Sequence, residues 1–189
     1  MADHSDVRIA QLLARVREGD DAAHQELMPL LYADLHDRAV AIMRSERREV
    51  TLQPTALVHE AWMRLQRSPG SNWEDRREFM RLAGRVMRNV LVDRARRRRS
   101  TAEEVDVEAL AIPIGPDASD RIDMLDLQAA LERLAARDEE LEEIVNMRFF
   151  AGLTVQETAA ALGKSASSVH RAWEFARTFL LRELRRSEE

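Results

Sequence analysis

The stretch that decides the fold lies near the C-terminus, where residues 154–184 read TVQETAAALGKSASSVHRAWEFARTFLLREL. Thr154 and Glu157 have the spacing of a capping box, in which each side chain accepts a hydrogen bond from the other residue's backbone amide at the start of a helix. Gly163 is suited to end that helix in a tight turn, and Ser165 to cap the next one. The spacing therefore predicts a short helix, a turn and a longer second helix.

The second of these helices has two unlike faces. Its apolar residues share one face at helical spacing: Val169, Ala172, Trp173, Ala176, Leu180 and Leu184. The opposite face carries serine, histidine and arginine side chains, which can contact base edges and phosphates. Two such helices around a glycine turn are typical of a DNA-reading helix-turn-helix, and an ordinary helical hairpin is the plainer alternative.

A long helix predicted over residues 74–97 carries a stripe of arginines. At 100° per residue one side of this helix is apolar, with Phe79, Ala83, Val86, Met87 and Val90. Nearly opposite lies the set that we call the arginine stripe: Arg81, Arg85, Arg88, Arg96 and Arg99. A solvated charged face is the plainer interpretation. Because few acids interrupt this stretch, we favour a surface that binds the phosphate backbone of a nucleic acid.

Charge is distributed unevenly along the 189 residues, whose formal net charge is −5. Residues 76–99 carry ten basic and two acidic side chains, a net +8, whereas residues 100–143 carry three basic and fourteen acidic ones, a net −11. Opposite charges in adjacent segments attract each other. We therefore hypothesise that the acidic linker or the second domain folds over the arginine stripe in the free protein.

The sequence predicts an all-α protein of two small helical domains. Before the arginine-rich helix, apolar periodicity predicts a helix over residues 5–18, a second ending near Ser45, and a third that begins at Pro54. Acids, Pro and Gly after the arginine-rich helix are typical of a linker, and apolar spacing beyond it predicts helices over residues 121–137 and about 138–150. The predicted division is a domain at residues 1–99, a linker at 100–120, and a helix-turn-helix domain at 121–189.

Composition excludes several classes of protein. There is no Cys, which excludes disulfides, thiolate zinc sites and a cysteine nucleophile, and favours a reducing, cytoplasmic compartment. The longest apolar runs, about five residues, are far shorter than the roughly 20 that a membrane helix needs. The acidic N-terminus does not resemble an export signal. We expect a cytoplasmic protein that has no membrane partner.

Motifs for catalysis and metal binding are incomplete. Residues 163–165, GKS, match the end of a phosphate-binding loop, but Thr158 stands where that motif needs Gly. His59 and Glu60 begin a zinc-binding HExxH pattern, whose second histidine is replaced by Met63. We therefore expect no enzymatic activity, no cofactor and no metal.

Three segments, in this order, resemble the extracytoplasmic-function (ECF) group of bacterial RNA polymerase sigma factors. Residues 56–66, ALVHEAWMRLQ, resemble the family's polymerase-binding helix, and residues 79–98, FMRLAGRVMRNVLVDRARRR, its promoter-melting helix. Residues 131–177, LERLAARDEELEEIVNMRFFAGLTVQETAAALGKSASSVHRAWEFAR, resemble its fourth conserved region. The resemblance implies a factor that directs RNA polymerase to promoters.

The resemblance also implies partners and contact residues. Core RNA polymerase would be bound through its β′ clamp helices and β flap, the clamp helices contacting Leu57, Val58, Glu60, Ala61, Arg64 and Leu65. The −10 element would contact Trp73, Arg77, Arg81, Arg85, Arg88, Asn89 and Arg96. The −35 element would contact Lys164, Ser167, Ser168, His170, Arg171, Glu174 and Arg177. An anti-sigma factor is a further implied partner.

The chain departs from the family's pattern just before the polymerase-binding helix. Where the family usually has an acidic cluster, this chain reads Gln53-Pro54-Thr55-Ala56, so we assign it to a branch that lacks the cluster. A phosphate on Thr55 would add about −1.5 to −2 charge at that place. We hypothesise that a serine/threonine kinase phosphorylates Thr55 and thereby switches on polymerase binding. The plainer interpretation is that Thr55 is a polar first-turn residue.

Two other functions fit parts of the sequence. A stand-alone transcriptional regulator would use the same helix-turn-helix, with residues 1–99 as a sensor or dimerisation module. A protein-interaction module, such as an adaptor, would leave the arginine stripe without a role. Dependence of DNA binding on polymerase distinguishes the sigma factor from the regulator.

Overall fold

The computed structural model describes residues 4–43, 53–67, 73, 75–100 and 123–187. Every regular element in these residues is a helix, which confirms the predicted all-α class. The helices are α1 (His4–Arg17), α2 (Asp21–Met43), α3 (Pro54–Gln66), α4 (Arg76–Ser100), α5 (Met124–Arg137), α6 (Glu139–Val145), α7 (Val155–Leu162) and α8 (Ala166–Ser187). Within this described part of the chain, no helix is both long and apolar enough to cross a bilayer.

Two helix ends differ from the sequence-based expectation. Ser100, expected to begin the linker, is the last residue of α4, where its hydroxyl donates to the Arg97 carbonyl at 2.8 Å. The helix expected over residues 138–150 leaves α-helical geometry after Val145 and continues as a π-helical segment, Asn146–Phe150. The Ala151 amide donates to the Asn146 carbonyl five residues back, at 2.8 Å. Ser45 and residues 101–120 lie outside the described residues.

Helices α1–α4, which we call the N-terminal module, enclose an apolar core. Each helix contributes side chains that are fully buried, among them Ile9, Leu31, Leu57 and Met87. Pro54 occupies the first turn of α3, as predicted, because that position needs no backbone amide donor. The burial of one stripe on each helix explains the apolar periodicity of the sequence.

Helices α5–α8 and the π-helical segment form what we call the C-terminal module. Thr154 and Glu157 make both hydrogen bonds of the capping box, and Gly163 ends α7 with a left-handed φ of 63°. The Ser165 hydroxyl accepts from the Ser168 amide at 3.2 Å at the start of α8. Val169 of α8 is buried against Ile144 and Ala159. The predicted arrangement of two helices around a glycine turn is confirmed.

The apolar core is continuous between the two modules. Met147, Phe150 and Ala151 are buried in the same cluster as the apolar face of α4. A Cβ atom placed on Gly84 would lie 2.7 Å from the Ala151 backbone nitrogen and 3.0 Å from its Cα, which is closer than real contacts allow. The backbone of α4 therefore touches the turn after the π-helical segment, and only glycine fits at position 84.

The left-handed turn at Gly163 yields a first prediction. Gly163→Ala should lower the free energy of unfolding by about 1 kcal/mol, because a Cβ disfavours this conformation. Space is not the cause, since no atom lies within 4 Å of the added Cβ. Gly163→Asn should lose less, because asparagine tolerates left-handed backbone. Urea titrations followed by tryptophan fluorescence would measure both, and an alanine variant as stable as the parent would contradict the prediction.

Candidate nucleic-acid interface

The first three residues of the arginine stripe face the C-terminal module. Arg85 bonds Glu143 of α6, and Arg81 Nη1 lies 3.4 Å from the other oxygen of the same carboxylate. Arg88 bonds the adjacent Glu142. The helical wheel correctly placed these arginines opposite the apolar face of α4. In the structure that opposite side contacts a second charged surface.

Arg88 is the most buried of the three, with 8% of its surface exposed. Its Nε donates to Gln128 Oε1 at 3.0 Å and its Nη1 to Asn146 Oδ1 at 3.0 Å. The Asn146 amide in turn donates to Glu142 at 2.8 Å, and the Phe150 ring centroid lies 5.8 Å from the guanidinium carbon. Arg88 is therefore fixed by charged, amide and aromatic partners at once.

Glu143 sits between Arg81 and Arg85 and is 9% exposed. Among the described residues, both of its ion-pair partners belong to α4. A carboxylate removed from water to this degree needs such partners, because burying an unpaired charge is costly. The position of Glu143 thus depends on contact between the modules.

A second pair of arginines meets at the same interface. Arg38 of α2 donates from Nε to the Phe150 carbonyl at 3.0 Å. Burial, and then the neighbouring positive charge of Arg148, lower the pKa of Arg38 to about 10. Burial also lowers the pKa of Arg148, whose guanidinium lies 5.4 Å from the Trp173 ring centroid. Arg38 therefore stays charged at neutral pH, and its hydrogen bond to the Phe150 carbonyl joins α2 to the C-terminal module.

The other residues expected to contact the −10 element differ in exposure: three lie at the surface and one is buried. Asn89 and Arg96 are exposed on α4, and Arg96 lines an open cavity of about 500 Å³ between α4 and α5. Arg77 is exposed and bonds Asp75 at 2.6 Å. Trp73 is 8% exposed and packs edge-on against Phe79, with ring centroids 4.8 Å apart. Trp73 therefore belongs to the core, and its expected contact with an unstacked base finds no support.

Four of the residues expected to contact polymerase are core residues of α3. Leu57, Val58, Ala61 and Leu65 are 0–1% exposed, because they form the stripe that packs against the rest of the N-terminal module. A partner cannot touch these side chains while α3 is packed against the other helices of the module. The prediction of direct contact is wrong for these four, which instead position the outer face of α3.

The outer face of α3 carries a charged network and an apolar patch. Glu60 accepts from Arg64 of α3 and from Arg94 of α4, both at 2.8 Å, and Arg64 also bonds Asp93 at 2.9 Å. Met63 is exposed on this face and Tyr32 packs edge-to-face on Trp62, at 5.9 Å between ring centroids, and neither residue was among those expected to contact polymerase. On a helical wheel Met63 lies opposite the buried stripe of α3, so its position could have been predicted as exposed.

Thr55 lies at the start of this outer face. It is exposed in the first turn of α3, which contains no acidic residue. Gln53, at the N-cap, makes no side-chain hydrogen bond to the helix. The positive end of the α3 dipole is therefore without a nearby negative side chain on its own helix.

The outer face of α8 is accessible. Ser167, His170, Arg171 and Glu174 are exposed, whereas Ser168 and Arg177 are half-buried. The Ser168 hydroxyl accepts hydrogen bonds from the Ser165 hydroxyl at 2.9 Å and from Arg171 Nη2 at 3.4 Å. Lys164 forms an ion pair with Glu140 at 2.6 Å. Phe175, which sequence analysis did not single out, is 45% exposed beside Arg137.

Across the described residues, no three histidine or acidic side chains are grouped to hold a metal ion.

Comparison with known proteins identifies a family and a similar solved structure. The family model described as ECF sigma factor matches residues 6–186. The chain is similar to the sigma factor RpoE of Bartonella quintana in its co-crystal structure with the anti-sigma factor NepR. The TM-score is 0.37 at 20% sequence identity, over 88% of this chain and 98% of that chain. No curated protein sequence matches the chain.

The difference in burial between two neighbouring arginines yields a second prediction. Arg88→Ala should lower the free energy of unfolding by about 3 kcal/mol, because Glu142 and Asn146 lose a buried partner. Arg85→Ala removes the same charge from a side chain that is 48% exposed and should cost less than about 1 kcal/mol. Chemical denaturation of both variants measures the contrast. Equal losses would mean that Arg88 is not the fixed centre of the interface.

Proposed function

This chain belongs to the family of ECF sigma factors, and we propose how it divides promoter recognition between its two modules. A sigma factor binds core RNA polymerase and directs promoter-specific initiation of transcription. The family consists of transcription factors, and the polymerase supplies the chemistry. One observation carries the proposed division: an arginine-faced helix and a capped helix-turn-helix lie in separate modules of one chain.

The C-terminal module reads the −35 element through the outer face of α8. Exposure of Ser167, His170 and Arg171 supports this role, because these side chains offer donors and acceptors at the surface. The buried Val169 and Ala176 hold the helix against the module. Lys164 and Arg177 flank the reading face and are suited to phosphate contacts.

The N-terminal module grips and melts the −10 element through α4. The exposed Arg96 and Arg99 of the arginine stripe supply cations for the backbone of a separated strand, and Arg81, Arg85 and Arg88 add to them when they exchange their acidic partners on α6 for phosphates. Exposure of Asn89 supports a contact with an unstacked base, since an amide can pair with a base edge. The buried Trp73 packs against Phe79 and thereby holds the start of α4 in place.

Polymerase docks on the outer face of α3. We assign the contact to Thr55, His59 and Met63, together with the half-buried Glu60, Trp62 and Arg64. The β′ clamp helices are the expected partner here, and the β flap is expected to contact the C-terminal module. An anti-sigma factor remains a predicted partner.

The outer face of α8 provides a test that separates a sigma factor from a stand-alone regulator. His170→Ala with Arg171→Ala should reduce specific transcription from a random-sequence promoter library at least tenfold, because two exposed contacts with DNA are lost. Affinity for core polymerase should not change. Transcript sequencing measures the first quantity and anisotropy the second.

The matched control is Arg185→Ala, which removes a positive charge from an exposed position at the far end of α8. If the double variant transcribes as well as this control, α8 does not read the −35 element. DNA binding that is sequence-specific and equally tight without polymerase would favour the stand-alone regulator.

Phosphorylation of Thr55 is the proposed switch for polymerase binding. Its exposed hydroxyl is accessible to a kinase, and a phosphate there would face the positive end of α3. The added charge would replace the acidic cluster that this chain lacks and attract basic groups on the clamp helices.

Thr55→Glu should bind core polymerase at least tenfold more tightly than the unmodified chain or Thr55→Ala, measured by anisotropy at one fixed salt concentration. His59→Glu, one turn further along the same exposed face, controls for charge placed away from the helix end. Unmodified chain that binds as tightly as Thr55→Glu would disprove the switch. So would mass spectrometry that finds Thr55 unmodified in cells whose target promoters are active.

A further inference from the structure

We propose that Phe175 contacts the methyl group of a thymine in the −35 element and thereby selects that base. The inference rests on the proposed role of α8 and adds a specificity-determining residue to it. Three observations support it: the ring is exposed, it lies beside Arg171 on α8, and Arg137 of α5 fixes its position.

Phe175 is an apolar side chain next to the polar outer face of α8. It is 45% exposed, and among the described residues of the C-terminal module it is the one large apolar side chain at the surface. The buried stripe of α8, which includes Val169, Ala176 and Leu180, does not contain it. Single exposed apolar residues are common on protein surfaces. What Phe175 contacts therefore has to follow from its position on the helix.

On a helical wheel Phe175 lies beside Arg171. It follows Arg171 by four residues, which places the two about 40° apart around α8 and about 6 Å apart along its axis. Arg171 is exposed and belongs to the outer face that is proposed to read DNA. A length of about 6 Å corresponds to roughly two base-pair steps. A helix that presents Arg171 to the major groove therefore presents Phe175 to the same groove, within about two base pairs.

Arg137, in the last turn of α5, fixes one side of the ring. Its guanidinium carbon lies 5.5 Å from the ring centroid, which is the distance of a cation–π contact. The ring is thus held between two helices of the module while nearly half of the residue stays open to a partner. A side chain that is already ordered loses little conformational entropy when it binds. The contact therefore prepares Phe175 for recognition.

The chemistry of the major groove indicates which base Phe175 contacts. Guanine, adenine and cytosine present only hydrogen-bonding groups there, whereas thymine also presents a methyl group. A phenyl ring makes no conventional hydrogen bond, so it would leave a polar base edge without water or a partner. Contact with the methyl group instead buries apolar surface on both sides. The −35 element should therefore contain a thymine, on either strand, within about two base pairs of the base that Arg171 reads.

The test compares promoters that contain the methyl group with promoters that lack it. Wild-type chain with core polymerase first selects its −35 element from the random-sequence promoter library. Deoxyuridine, which is thymidine without the methyl group, then replaces each thymidine of that element in turn. One replacement should weaken binding of the holoenzyme about fourfold, the ratio expected for one methyl group that is no longer taken out of water. Replacement of a thymidine between the −35 and −10 elements is the control in the DNA.

Variants of Phe175 show whether this ring detects the methyl group. Phe175→Gln has a polar end, so it should bind the thymine and uracil promoters equally and should accept other base pairs at that position of the library. Phe175→Leu keeps an apolar surface and should retain at least a twofold preference for the methyl group. Val7→Gln makes the same kind of change at an exposed position of α1 and should behave as wild type.

A loss on uracil substitution that is equal in wild type and Phe175→Gln would overturn the proposal. So would a −35 element in which no thymine is sensitive to removal of its methyl group. If Phe175→Gln transcribes less from every promoter with an unchanged base preference, the proposal is also wrong, and the ring contacts a protein instead.

The double variant His170→Ala with Arg171→Ala, scored in the same library, separates this proposal from the role of α8 on which it rests. If the double variant keeps the wild-type −35 preference, α8 does not read the element and both proposals fail. If it loses that preference while uracil has no effect on wild type, α8 reads the element and only the thymine contact is rejected.

Discussion

The close approach of α4 to the turn after the π-helical segment governs the arrangement of the whole interface. Gly84 and Ala151 meet at backbone distance, which leaves no room for a side chain on α4. The π-helical segment makes this contact, because its wider turn carries Phe150 into the core and directs Ala151 towards α4. The arginines on either side of Gly84 then lie within reach of α6. A change in this one separation would alter every ion pair between the modules.

The features that the sequence predicts well are local ones. The helix-turn-helix depends on a capping box, a left-handed glycine and a serine cap, each of which involves residues at most four positions apart. The helices of the N-terminal module follow from apolar spacing, because each buries one stripe. Such signals do not need knowledge of what lies on the other side of a helix, and this is why they can be read from one chain.

Features that depend on a second surface could not be predicted in this way. A helical wheel separates apolar from polar positions, but it does not tell water from a carboxylate. The uneven charge suggested that acids of the second domain cover the arginine stripe, but it could not show that Glu143 contacts Arg81 and Arg85. The resemblance to the family likewise identified α3 as the polymerase-binding helix, but it did not show which side of α3 faces the core. Leu57 and Val58, which are buried, were therefore assigned to polymerase. No sequence pattern marks Ala151, since its importance comes from its contact with Gly84, which is distant in the sequence.

The order of the modules along the chain has a consequence for synthesis. Arg81, Arg85 and Arg88 leave the ribosome before α6 has been made, and more than fifty residues separate Arg88 from Glu142. At roughly 5–20 residues per second, this interval lasts on the order of several seconds. During it the basic face of α4 exists without the acids that later contact it. The arginines are therefore open to other anions before their own carboxylates have been made.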